Sequence, residues 1–174
     1  MPIISIPKLN KLNLFQQFFC NILEMKKIIL LLTLSSFFFS CSDNGFNNKN
    51  PYLPNYTFTI DVNMDLPTYS NLLTPINAIY YPNQGIGRGL FIFNTGSGYV
   101  AFDATCPNQT LSSCSTMNFK KLDPVDLLKI DKTTVVCSCD GAEYSLFSGQ
   151  STGKQYPLKQ YRVEVRGNVL RVSN

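Results

Sequence analysis

The sequence predicts an all-β domain over residues 56–174, built as a small antiparallel barrel or sandwich. Three observations lead there. Apolar and polar residues alternate with a period of two, turns rich in Gly and Asn separate short β-branched and aromatic runs, and a single stretch has helical spacing. In residues 56–62, Tyr56, Phe58, Ile60 and Val62 alternate with Thr57, Thr59 and Asp61, as in a half-buried strand. Gly85, Gly87 and Gly89 lack the spacing of a dinucleotide fingerprint and lead into a strand, so they read as a glycine-rich approach to it. Residues 90–93 and 99–102 flank a turn holding Gly96 and Gly98, which predicts a hairpin. Residues 124–130 predict the one helical turn: Pro124 suits a first helical position, and Val125, Leu128 and Lys129 follow at helical spacing. Residues 133–136 form a strand running into Cys137. Residues 162–166 and 169–172 surround Gly167-Asn168, a second tight hairpin.

The chain has 174 residues, 44% hydrophobic and 15% charged, which fits one folded domain with appendages and not a disordered or polytopic chain. It contains no His and no Trp. That excludes a Ser-His-Asp triad, a Cys-His dyad, and His-ligated zinc or haem. The net charge is +4, but residues 1–40 hold Lys8, Lys11, Lys26 and Lys27 against Glu24 alone. The remainder carries 11 basic and 10 acidic residues, with no basic run longer than Lys120-Lys121, so nucleic acid is not an expected partner. Asp103 and Asp123 show no pairing that acid–base chemistry would need. Tyr80, Tyr81, Tyr144 and Tyr156 could line an aromatic binding face, although aromatics at strand edges more often serve packing. No constellation for hydrolysis or group transfer is visible, so an enzyme is not the favoured reading.

The first forty residues read as an address. Met25-Lys26-Lys27 is a basic head, residues 28–39 are mostly apolar, and Ser40-Cys41 follows, the order of a secretory signal. Phe38-Phe39-Ser40-Cys41 resembles the lipobox of bacterial lipoproteins, which implies lipidation of Cys41 as the mature N-terminus. The apolar run is short for a membrane span, and polar Ser42-Asp43-Asn44 comes next. Residues 1–24, which include Cys20, read as an upstream mis-start or extension, 25–40 as the signal peptide, and 41–55 as the lipidated Cys with a flexible, Asn-rich tether. The expected location is the extracytoplasmic side of a bacterial cell-envelope membrane, the outer membrane being one candidate, and the membrane is reached through the lipid anchor.

Four cysteines remain: Cys106, Cys114, Cys137 and Cys139. An even number in an exported domain suggests disulfides. Three pairings exist, and the one joining Cys137 to Cys139 closes a strained ring. Four thiolates could instead hold zinc or an iron–sulfur cluster, but C-x7-C and C-x-C do not match the C-x2-C knuckles of tetrahedral sites.

Cys106-Pro107-Asn108 follows a strand. Some thirty residues on comes Val136-Cys137-Ser138-Cys139-Asp140-Gly141-Ala142-Glu143-Tyr144, then Gly149, Gly153 and Tyr156-Pro157-Leu158-Lys159-Gln160-Tyr161-Arg162-Val163. This order, over roughly residues 86–174, resembles the Rieske iron–sulfur domain, whose cluster loops read Cys-x-His and Cys-x-x-His. The resemblance implies a Rieske-like β-fold with two cysteine-bearing loops. It places Cys106 and Cys137 on the cysteine-ligand positions and Asn108 and Asp140 on those of the lost histidines. Ala142 stands where many members have a Ser that hydrogen-bonds the cluster, and Tyr144 keeps the aromatic. Cys139, and more loosely Cys114, match the extra cysteines that bridge the loops in some members.

A Rieske centre needs two imidazoles on one iron, and this chain has none. Asn is a poor iron ligand; Asp140 could offer a hard oxygen, while local turn hydrogen bonding is the alternative role for both residues. From the resemblance, two pairings follow: Cys106–Cys137 with Cys114–Cys139, or the swap Cys106–Cys139 with Cys114–Cys137. The leading expectation is a cell-envelope lipoprotein whose degenerate, disulfide-stabilised Rieske-like domain is a structural or partner-binding module for an envelope protein, with no cofactor. One alternative is an electron carrier with an atypical Cys-ligated iron–sulfur cluster or zinc, Cys106 and Cys137 being the first ligands. Another is a thiol–disulfide redox protein.

Overall fold

The computed structural model describes residues 49–126 and 128–174. The segment 1–24, the expected signal peptide 25–40, Cys41 and the first part of the expected tether lie outside the described residues. The described chain is all-β, in two antiparallel sheets. Its strands are β1 (Thr59–Asn63), β2 (Asn77–Tyr81), β3 (Leu90–Asn94), β4 (Tyr99–Asp103), β5 (Met117–Lys121), β6 (Ile130–Cys137), β7 (Glu143–Ser145), β8 (Gln160–Arg166) and β9 (Val169–Ser173). A 3-10 turn, Ser70–Leu73, is the only helical element among the described residues.

Both expected hairpins form. β3 and β4 pair Asn94 with Tyr99, and their turn closes with Thr95 N donating to Gly98 O at 2.9 Å. β8 and β9 pair Arg166 with Val169 across Gly167-Asn168. The uninterrupted apolar run of β3 has a physical reason: it is buried on both faces. Phe91 and Phe93 join one core cluster with Phe102, Met117, Val135 and Tyr144. Leu90 and Ile92 join the other, with Val62, Leu72, Tyr161 and Leu170. The larger sheet runs β1-β9-β8-β4-β3-β2 and the smaller runs β5-β6-β7. The chain therefore leaves the larger sheet after β4, builds the whole smaller sheet, and returns as β8 beside β4.

The helical turn expected at residues 124–130 does not form among the described residues. Asp123 instead accepts the backbone N–H groups of Val125 (2.8 Å) and Asp126 (3.2 Å). Leu122 N donates to Lys129 O at 2.8 Å, closing a loop between β5 and β6. Val125 and Leu128, whose spacing suggested a helix, are exposed and have no core to face. The aromatic face also dissolves: Tyr144 is buried in one cluster, Tyr81 packs against the other, and Tyr80 is exposed with its hydroxyl on Arg88 O. The glycine-rich approach to β3 is a loop folded over Asp103. A Cβ on Gly85, which has φ +66°, would collide with the Asp103 carboxylate, and one on Gly89 would lie 2.6 Å from the Tyr80 ring.

Candidate functional site

Two loops carry the four cysteines. The first leaves β4 and reaches Cys106, whose N–H donates to Ser115 O at 2.9 Å, so residues 106–115 close on themselves. Within it Ser112 N donates to the Ser115 hydroxyl at 2.9 Å, and Cys114 stands exposed at the tip. The second is the turn from β6 to β7. Gly141 N donates to Cys137 O and Cys137 N to Ala142 O, both at 2.9 Å, which holds residues 137–142 in a tight turn. Ser138 ties the second loop to β5 and the end of the first. It donates to Thr116 O at 2.8 Å and accepts from Asn118 at 2.9 Å.

The cysteines form the first of the two pairings that the resemblance allowed. Cys106 bonds to Cys137 with Cα atoms 5.5 Å apart, and Cys114 bonds to Cys139 with Cα atoms 5.0 Å apart. The bridges differ in environment. Cys106 and Cys137 are buried in the core cluster of Phe91, Met117 and Tyr144, whereas Cys139 is half-buried and Cys114 exposed. The sulfurs of Cys106, Cys137 and Cys139 all lie within 4.8 Å of one another.

Asn108 and Asp140 each have other work. Asn108 Nδ2 donates to the Tyr144 hydroxyl (2.9 Å) and to Tyr156 O (2.7 Å), and its Oδ1 accepts from Tyr156 N (2.9 Å). These are not the local turn bonds expected of Asn. They join the first loop to a segment 48 residues away and to the buried ring of Tyr144. Asp140 does make a turn bond, accepting from Ala142 N at 3.1 Å, and also pairs with Lys154 Nζ at 2.6 Å. The Lys154 hydrogen bond is the main reason the Asp140 carboxyl sits below the ordinary aspartate value, and it raises Lys154 in turn.

A Rieske-type centre does not fit these residues. Both cysteine positions are spent on a disulfide, both ends of the Asn108 amide are hydrogen-bonded, and both Asp140 oxygens are engaged. The remaining requirement, two imidazoles, is absent from the sequence.

Several residues near the loops belong to no ligand or catalytic motif in the sequence. Asp103 is fully buried, accepting from Ile86 N (2.9 Å), Thr105 N (2.9 Å) and the Tyr161 hydroxyl (2.8 Å). Burial pushes its carboxyl up despite these three donors, and pushes the Tyr161 hydroxyl up as well. Lys159 is buried too, donating to Pro54 O (2.7 Å) and Asn55 Oδ1 (2.8 Å). Together with Asn50 Nδ2 on Pro107 O (2.7 Å) and an edge contact of Tyr52 on Tyr156, it holds residues 50–55 against the domain. That stretch lies inside the segment expected to be a free tether.

No family model matches the chain, and no curated protein does. Solved structures do show likeness. A chain in the complex of reduced oxygenase and oxidized ferredoxin in carbazole 1,9a-dioxygenase is 17% identical, with a TM-score of 0.40 over 67% of this chain and 92% of that one. The ferredoxin of carbazole 1,9a-dioxygenase from Nocardioides aromaticivorans IC177 is 13% identical, with a TM-score of 0.39 over 68% and 97%. A protein described as an NADH-dependent nitrite reductase small subunit from Mycobacterium tuberculosis is 13% identical, with a TM-score of 0.40 over 69% and 97%.

Proposed function

We propose that the chain is a bacterial cell-envelope lipoprotein, anchored through Cys41, whose Rieske-like domain is a structural or partner-binding module. In this reading it is closed by disulfides where the family would carry its cluster. The observation that supports it is the state of the four ligand positions. Cys106 is bonded to Cys137, while Asn108 and Asp140 brace the loops through Tyr156, Tyr144 and Lys154. Every group that would face a cluster instead stabilises a loop that no longer needs one. The insertion of the small sheet between β4 and β8, with the cysteines at its edge, fits the Rieske-like reading of the sequence. The membrane part rests on the Met25–Cys41 signature in the sequence.

The test is iron, zinc and free thiols per chain in protein purified anaerobically from its native envelope. The reading expects neither metal at stoichiometric level and no free thiol among Cys106, Cys114, Cys137 and Cys139. About two irons per chain would overturn it in favour of an electron carrier. Cys41→Ala tests the anchor: the protein should leave the membrane fraction and lose its acyl mass. A second reading has one observation in its favour, the approach of three sulfurs within 4.8 Å. If the bridges were reduced in the cell, Cys106, Cys137 and Cys139 could take a thiophilic ion such as zinc, and the same metal analysis would find it.

A further inference from the structure

The two bridges form a graded pair, one exposed and one buried, with the half-buried sulfur of Cys139 beside the buried pair. We infer that they work as a thiol–disulfide relay in which an external dithiol opens the outer bridge and Cys139 passes the exchange to the inner one. This goes beyond a binding module and does not depend on it.

The first step follows from access. Attack on a disulfide requires a thiolate to reach one sulfur along the bond and the other sulfur to leave. Cys114 is the exposed partner, so the external thiolate bonds to Cys114 Sγ and the S–S bond to Cys139 breaks, its electron pair departing on Cys139 Sγ. That sulfur is suited to leave as an anion. The Ser112 hydroxyl lies beside both outer sulfurs, 3.2 Å from Cys114 Sγ and 3.6 Å from Cys139 Sγ, and can donate to the departing Cys139 thiolate. Hydroxyl donors favour the thiolate over the thiol, and a better leaving thiolate is displaced faster.

The second step follows from proximity. The freed Cys139 thiolate has both sulfurs of the inner bridge within 4.8 Å. Attack on Cys137 would join residues two apart in sequence and close a strained ring, so Cys106 is the productive target. A bond forms between Cys139 Sγ and Cys106 Sγ, the bond between Cys106 and Cys137 breaks, and Cys137 leaves as a thiolate that takes a proton from solvent. The second thiol of the external dithiol then displaces Cys114. In balance, one dithiol is oxidised to its disulfide and the chain accepts two electrons and two protons. It ends with a Cys106–Cys139 bridge and thiols at Cys114 and Cys137. A buried disulfide that no external reductant can touch is thereby brought into exchange.

The probe is dithiothreitol at limiting concentration on the full lipidated chain in detergent, with acid quenching, alkylation and peptide mapping of one-bridge chains. The relay expects about a tenth or more of these to carry Cys106–Cys139 with Cys114 and Cys137 alkylated. One-bridge chains that hold only Cys106–Cys137, with Cys114 and Cys139 alkylated, would overturn it. Cys114→Ala gives an independent readout without reductant, since Cys139 is then a permanent thiol. Folding is checked by circular dichroism, and the label should divide between Cys139 and Cys137. Label confined to Cys139 in the folded variant would also defeat the proposal. Ser112→Ala keeps all four cysteines and should slow opening of the outer bridge severalfold; an unchanged rate would remove Ser112 from the mechanism and with it the proposed stabilisation of the leaving thiolate.

Discussion

Removing either bridge while keeping the other separates what a disulfide contributes through the unfolded chain from what it contributes through packing. The bridges span 31 and 25 residues, which taken alone would close loops of unequal length. They interleave, however. With Cys106–Cys137 intact, the shortest path from Cys114 to Cys139 runs back through eight residues, across that bridge and on through two more. With Cys114–Cys139 intact, the path from Cys106 to Cys137 uses the same two segments. Each bridge thus closes an effective loop of about ten residues, and the chain-entropy relation gives about 2.7 kcal/mol for either. The entropy terms cancel in the comparison, leaving burial. Cys114→Ala/Cys139→Ala removes one exposed and one half-buried sulfur, while Cys106→Ala/Cys137→Ala removes two that are 1% and 2% exposed, packed with Met117 and Tyr144. Two lost sulfur-sized groups and the space they leave should add about 1–2 kcal/mol to the inner loss. Urea unfolding of both pair variants against the parent, without reductant, reads this as a midpoint difference at similar slope. Equal losses, or a larger loss for the outer pair, would refute the reasoning.

Three further outcomes follow from the polar braces. Asn108→Ala deletes three hydrogen bonds and leaves the Tyr156 backbone and the Tyr144 hydroxyl to water, a loss of about 2–4 kcal/mol in urea unfolding; a loss under about 0.5 kcal/mol would mean the brace is idle. Asp140 is held below its ordinary value, so its contribution is present above about pH 4 and is lost as pH falls through the lower native value. Asp140→Asn should flatten the acid limb of the stability profile, by under about 1 kcal/mol because the Lys154 pair is partly exposed; an unchanged acid limb would count against the pair. Lys159→Met should raise hydrogen exchange selectively in residues 50–55, and uniform exchange across the domain would show that Lys159 is a core residue and not a clasp.

Strands were legible where alternation or turn chemistry was strong, and illegible where neither was. β3, β4, β8 and β9 are bracketed by glycine and asparagine turns that leave few other conformations. β5 hides because Lys120 and Lys121 dilute Met117 and Phe119, and β7 has only three residues. The false helical turn shows the limit of periodicity, since Val125 and Leu128 have the right spacing but no surface to cover. At the site, the order of motifs in the sequence singled out the four cysteines, Asn108 and Asp140. The partners of Asn108 could not, because no local pattern encodes a bond across 48 residues. Asp103 did leave a sign. A lone acid ending the apolar strand Tyr99–Asp103 needs donors when buried, and the Gly85 loop can approach closely enough to present the Ile86 N–H.

The docked segment gives the lipid-anchored reading a geometric consequence. Asn50 binds the carbonyl of Pro107, the residue after Cys106, and Tyr52 meets Tyr156, which Asn108 also holds. The chain leading from Cys41 therefore joins the domain at the first cysteine loop. Asn50 is nine residue steps from Cys41, and even fully extended that stretch reaches only about 30 Å. A free tether through residue 55 would have reached about 50 Å. If Cys41 is lipidated, the chain between the anchor and the docked Asn50 can span no more than about 30 Å. Releasing the clasp at Lys159 should lengthen the free chain before the domain, while the bridges, which do not involve it, should remain closed.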